Sequence, residues 1–234
     1  MAGRITRREL KTDKFAVEVE HTVDFVTEHR RELIIYGAVV AAVALISVGV
    51  YFFQRHQHTV REQYLADAIQ IQEAPVGPPN PGAIIVFPTE DAKRTAAAKA
   101  FGDIASKYSG SAEGATAKYY LGASAADQGN MAEAEKRFKD AAESGDNNYA
   151  SLARFSLAEV YIAEGRTADA EKILRDLMAH PTLFVSKEQA TISLARTIAH
   201  TKPDEARKLL EPLRTQTGAV SQAAINALAD LPGH

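Results

Sequence analysis

The chain has no cysteine, so neither a disulfide framework nor thiol chemistry is available to it. It has no phosphate-cradling Gly-x4-Gly-Lys-Ser/Thr loop, no His-Glu-x2-His pair and no Gly-x-Ser-x-Gly elbow. Its seven histidines, at 21, 29, 56, 58, 180, 200 and 234, are scattered. His56-x-His58 is read as a polar boundary rather than a metal site. No catalytic residue, cofactor site or metal site is expected, and the protein is not expected to be an enzyme or to take a small-molecule substrate. Nor is there a basic stripe, which argues against nucleic acid as a partner. The net charge is −3, and residues 1–32 are neutral with seven bases and seven acids, so the excess lies C-terminally.

What the sequence does have is a run of 21 uncharged residues, Leu33 to Phe53. At the helical rise it spans about 30 Å, the thickness of a bilayer's hydrocarbon core. Charged groups flank it, Arg30, Arg31 and Glu32 before, Arg55 and His56 after. Tyr36, Tyr51, Phe52 and Phe53 sit toward its ends, where aromatic rings settle at the headgroup level. A cleaved signal peptide fits badly, because the preceding segment is long and no small residues follow the run. A buried soluble helix of this length would show a polar face.

Seven Lys and Arg precede the run and two, Arg55 and Arg61, lie in the twenty residues after it. The positive-inside rule keeps the N-terminus cytoplasmic. In a bacterium the sequence therefore predicts a single-pass inner-membrane protein with a periplasmic C-terminal domain. Within the tail, Phe15, Val19, Val23 and Val26 recur at helical spacing, predicting an amphipathic helix over 13–32 that either lies on the inner leaflet or packs on a partner.

After the run, Val60, Tyr64, Ala68 and Ile71 share one face of a helix expected over 58–73. Five of the nine prolines then fall at 75, 78, 79, 81 and 88. That density excludes helix and favours extended backbone. Ile84, Ile85, Val86 and Phe87 within it are expected to dock on a neighbouring surface, with an exposed partner site as the alternative.

From Asp91 the sequence repeats. Leu121, Gly122, Ala125, Gly129, Ala134, Phe138 and Ala141 recur 36 residues later as Leu157, Ala158, Tyr161, Gly165, Ala170, Leu174 and Leu177. Leu194, Ala195, Ile198, Ala206, Leu210 and Leu213 form a third copy, shifted by 36 or 37. Ala97, Phe101 and Ile104 fit the second helix of an earlier pair whose first helix is 58–73. Pro203 suits the first turn of a helix capped by Thr201, and a helix over 221–231 is expected to cover the open end.

This pattern resembles the tetratricopeptide repeat over residues 92–215, although Lys118 and Arg154 stand where its consensus has Trp. The fold expected is all-α: one N-terminal transmembrane helix followed by a tetratricopeptide-like helical-repeat solenoid. The expected division is a cytoplasmic tail over 1–32, the span over 33–53, a membrane-proximal helix and Pro-rich insertion over 54–91, and the repeat domain with its capping helix over 92–234.

The resemblance implies recognition by a concave wall built from first helices. Its inward positions are Tyr119, Ala123 and Ala126, then Phe155, Glu159 and Ile162, then Gln189, Ile192 and Arg196. The Lys, Asn and Arg set with which some such domains hold a terminal carboxylate is missing, so an apolar helix or extended segment is the expected ligand. The same residues could instead pack between repeats; of these, Tyr119 is expected at the surface and Ile162 in the core. The whole layout resembles a bacterial envelope family that includes the ancillary subunit of the Sec translocon. It implies protein partners, Sec translocon subunits or periplasmic chaperones, and a role as a membrane-anchored scaffold in export. A structural or cell-division-associated envelope protein that self-associates is the alternative.

Overall fold

The computed structural model describes residues 30–78, 82 and 84–232. It divides into two compact units, residues 1–58 and 59–234. The amphipathic helix expected over 13–32 falls largely outside the described residues. Only Arg30 to Glu32 are seen, and they already belong to α1.

α1 is one unbroken helix, Arg30–Glu73, of 44 residues. The helix expected over 58–73 is thus its C-terminal part, since nothing between Val50 and Glu73 breaks the backbone: the stretch holds neither Gly nor Pro. In the first unit the helix exposes its large apolar side chains from Ile34 to Phe53, Leu45 by 74%. It is long and apolar enough to cross a membrane.

In the second unit the remaining helices are α2 (Glu90–Lys107), α3 (Ala112–Asp127), α4 (Met131–Ser144), α5 (Asn147–Ala163), α6 (Thr167–Ala179), α7 (Lys187–Ile198), α8 (Pro203–Arg214) and α9 (Ala219–Ala229). From α2 onward each packs on the next, while α3 also meets α5 and α7 meets α9. Thr89, Ser111, Asn130, Asp146 and Ser186 cap α2, α3, α4, α5 and α7, each side chain accepting a backbone N–H of the first turn. α9 starts and ends two residues earlier than expected, because Gly218 at φ 77° opens it.

The repeat positions carry the core. Ala134, Ala170, Ala206, Leu174 and Leu210 are fully buried and Phe138 nearly so. A Cβ on Gly122 would stand 2.9 Å from the Phe138 ring, so glycine there sets how closely α3 approaches α4. Gly129 and Gly165 both take φ +74° in the turns, where other L-residues are strained. Their backbone closes alike: Asn130 N–H donates to Ala125 O at 2.9 Å and Arg166 N–H to Tyr161 O at 2.7 Å.

A second, smaller cluster gathers Ala68 of α1 with Ala97, Phe101, Ile104 and Ala105 of α2 and Ala117 of α3. Arg61 donates to Glu113 at 3.1 Å, tying α1 to α3 at a carboxylate that is almost wholly buried.

The described residues of the Pro-rich connection are non-helical, as its composition predicts. A bridge joins Val76 to Phe87, with Gly77 N–H donating to Phe87 O and Phe87 N–H to Pro75 O. Ile85, Val86 and Phe87 are half-buried, but Ile84 does not dock: it stands 86% exposed. Thr201 does not cap α8 either. Its hydroxyl donates back to Ile198 O at 3.3 Å, and Lys202 occupies the cap position without a side-chain bond.

Candidate functional site: a groove along the first helices

The first helices α3, α5 and α7 carry the residues expected to face a ligand. Six of the nine inward positions line one groove of about 510 Å³: Phe155, Glu159, Ile162, Gln189, Ile192 and Arg196. Its far end is closed by Ala219, Val220 and Ala223 of α9. These three were not anticipated, because the last helix was expected only to cover the stack.

The groove arises because α5 and α7 present equivalent positions side by side. Phe155 and Ile192 occupy one register, Glu159 and Arg196 the next, each pair 37 residues apart. Asp146 caps α5 by accepting Tyr149 N–H at 2.8 Å, and Ser186 caps α7 by accepting Gln189 N–H at 3.1 Å. These caps fix where both helices begin, and hence which side chains come abreast.

Its chemistry is mixed. Phe155 is half-buried and Ile192 buried, forming the apolar floor. Ile162 is 36% exposed at the wall, which corrects the expectation that it belongs to the core. Glu159 accepts the Ser193 hydroxyl at 2.9 Å. Arg196 is exposed and forms no ion pair among the described residues. The groove thus sets an anion and a cation at the same register of two neighbouring helices over an apolar floor. Among the described residues no group of three His, Cys, Asp or Glu is placed to hold a metal ion.

Tyr119 stands apart from this groove. Its ring packs against Tyr120, Phe138 and Tyr149 at centroid distances of 5.6, 5.7 and 6.0 Å. Burial pushes its hydroxyl pKa up, and that of Tyr120 up to about 12. Tyr119 is therefore part of an aromatic seam, not the free surface residue the repeat pattern suggested. Tyr149, which holds it there, lies in the first turn of α5, outside the repeat positions. Ala123 and Ala126 are half-buried beside the same core.

The second helices show an arrangement that hydrophobic periodicity passed over. Glu135 of α4 accepts Lys139 Nζ at 2.6 Å, the Tyr161 hydroxyl at 3.0 Å and Arg166 at 2.9 Å. Shifted by 36, Glu171 of α6 accepts Arg175 at 2.7 Å and Lys202 at 2.6 Å. A cation in each turn thus reaches back to the preceding repeat. The same 36-residue test applied to charges finds Glu135, Lys139 and Arg166 against Glu171, Arg175 and Lys202. Lys139 holds the Glu135 carboxyl below the usual carboxylate range, and Lys202 does the same for Glu171.

Stacked helix pairs with small residues at their crossings, glycine turns and a ligand-sized trough along the first helices define a helical-repeat interaction domain. The chain belongs to the tetratricopeptide repeat-like domain family, whose profile matches residues 28–190. Proteins of this kind are generally non-catalytic scaffolds for other proteins. A search among curated proteins finds no match, and no solved structure matches either.

Proposed function

We propose that this protein is a membrane-anchored interaction scaffold of the bacterial inner membrane, its N-terminus cytoplasmic and its repeats periplasmic. The tail is residues 1–32, the span 33–53, the membrane-proximal part 54–91 and the repeat domain 92–234. It works beside the Sec translocon, where its groove holds an apolar segment of a translocon subunit, a chaperone or an emerging chain. The observation that carries this reading is the trough of Phe155, Ile162 and Ile192 edged by Glu159 and Arg196. An apolar floor with a charge of each sign suits a segment of matching pattern. Anchoring raises the local concentration of partners, so weak contacts suffice.

The test is photocrosslinking in native membranes from Ile162, with exposed Arg94 on α2 as the control position. Crosslinks from Ile162 to translocon subunits or periplasmic chaperones are expected. Crosslinks only to a second copy of the chain would instead favour a self-associating structural protein of the envelope. Topology is checked by C-terminal fusions: alkaline phosphatase should be active, and a Sec-exported green fluorescent protein dark. The opposite pair of results ends the export reading.

A further inference from the structure

The earliest helix pair, the 59–73 part of α1 with α2, meets differently from the later ones. Later neighbours pack along their lengths, whereas here contact is made by side chains around Ala68 and Phe101. A cleft of about 500 Å³ stays open between the two helices. Its lining includes Ala68 and Ile71 from α1 and Ala100 and Ile104 from α2, with Asp67 on one wall and Asp103 on the other. The sequence explains why it stays open. Sixteen residues, 74–89, join this pair where the later pairs have tight turns, so the connection does not draw the helices together.

Could the connection itself fill the cleft? Its described residues Pro75, Ile84 and Ile85 line a different hollow, with Ala66, Ile69, Gln70 and Glu73 of α1. It also carries no charge from Ala74 to Thr89, so it cannot answer the two carboxylates. Asp67 and Asp103 are exposed, and neither has an ion-pair partner among the described residues. Lys107, four residues beyond Asp103 and also in the lining, stacks over the rings of Tyr64 and Tyr108 there, 5.3 and 5.2 Å from their centroids.

We propose that this cleft docks an amphipathic helix of a partner protein, apolar on its buried face and carrying Lys or Arg on both flanks. Helix is the conformation that fits: both walls are helices with no free backbone edge to pair a strand. Ile71 and Ala100, both half-buried in the lining, leave room for a third helix to lie ridge-into-groove above the buried Ala68. The flanking cations then meet an acid on each wall. This site is separate from the groove of α5 and α7, and the two can succeed or fail independently.

The experiment uses the full chain in phosphatidylcholine nanodiscs, with empty discs subtracted. The probe is a dye-labelled helical peptide of roughly five turns, Leu and Ala on one face and Lys on both flanks. A sister peptide replaces every Lys with Glu. Anisotropy should show saturable binding of the Lys peptide and binding roughly tenfold weaker for the Glu peptide. Joint Asp67→Lys and Asp103→Lys replacement should invert the preference; the milder Asp67→Asn and Asp103→Asn pair should abolish it without inversion. Lys208→Glu, exposed on α8 and outside both grooves, should leave it unchanged. Circular dichroism establishes that each variant is folded. Equal affinity for the two peptides, no saturable binding above empty discs, or a preference unmoved by both Asp variants overturns the proposal. Self-association of the unliganded chain that the Lys variant abolishes also overturns it, giving the cleft to a second copy.

Discussion

The turns of the first two repeats and the turn of the third solve one problem differently. Gly129 and Gly165 sit at φ +74° and pass the chain on with the same backbone bonds. Between α7 and α8 the corresponding residues are His200, Thr201 and Lys202, without a glycine. Lys202 N–H donates to Ile198 O at 2.7 Å, and Pro203 starts α8 with its φ already helical. Yet Lys202 keeps the cation that Arg166 supplies one repeat earlier. A repeat can thus lose its turn residue while retaining its core positions and its inter-repeat charge.

The strongest test of that claim replaces core residues in all three repeats. Phe138→Ala, Leu174→Ala and Leu210→Ala should each cost about 2–5 kcal/mol, read from urea unfolding by circular dichroism. The third repeat departs from the pattern only in its turn, so Leu210, fully buried, should suffer as much as Leu174. A loss at Leu210 well below the other two would mean that the last repeat is only loosely joined to the stack.

Next in size is Tyr119→Ser, expected to cost about 2 kcal/mol, since it removes a half-buried ring from three aromatic contacts. This residue marks where sequence reading stopped short. The 36-residue shift found the repeat helices, the buried Ala134, Ala170 and Ala206 and both glycine turns, and the resemblance to the tetratricopeptide repeat supplied six of the residues lining the groove. Those features depend on residue type at fixed spacing. Tyr119 depends on Tyr149, a contact no periodicity announces. The Arg61–Glu113 bond spans 52 residues and has no signal in spacing. Ile84 read as docked because it is apolar, but whether an apolar residue of a connection is covered depends on backbone contacts such as the Gly77–Phe87 bond, which spacing does not announce. Ile162 read as core for the same reason; its position faces the trough, where neither neighbouring first helix covers it.

The turns give the direct contrast. Gly129→Ala and Gly165→Ala should each cost roughly 1 kcal/mol, because a Cβ is strained at positive φ whatever the space around it. Thr201→Ala loses only a long 3.3 Å hydroxyl bond on an exposed residue and should leave the melting temperature nearly unchanged. Equal effects in all three turns would erase the distinction drawn between them.

A smaller effect probes what the turns share. The carboxyls of Glu135 and Glu171 are held below their usual range, so each stabilises the fold above the unfolded carboxylate pKa of about 4.3. That contribution disappears as pH falls through the lowered folded value. Unfolding midpoints of the parent protein should therefore exceed those of Glu135→Gln and Glu171→Gln near about pH 6, with the gaps closing toward about pH 3. Similar gaps for the two variants are expected, since Arg166 and Lys202 act from equivalent turns. A gap for Glu135 alone would confine the charge ladder to the glycine-bearing repeats.

A small change in stability is also expected of Ile162→Ser. Its side chain is partly exposed at the groove wall, so the substitution uncovers little and should cost under about 1 kcal/mol. Recognition should respond differently. An apolar wall residue beside Phe155 and Ile192 loses contact area with whatever lies in the trough, and truncating such residues often weakens binding by more than about 1 kcal/mol. Paired measurements, a urea melt and the yield of crosslinks from a probe at nearby Gln189, should therefore diverge: near-parental stability with reduced crosslinking. A large stability loss for Ile162→Ser would return the residue to the inter-repeat core. Unchanged crosslinking with a sound fold would remove this wall from the interaction surface and leave the register of Glu159 and Arg196 as the part of the groove that selects a partner.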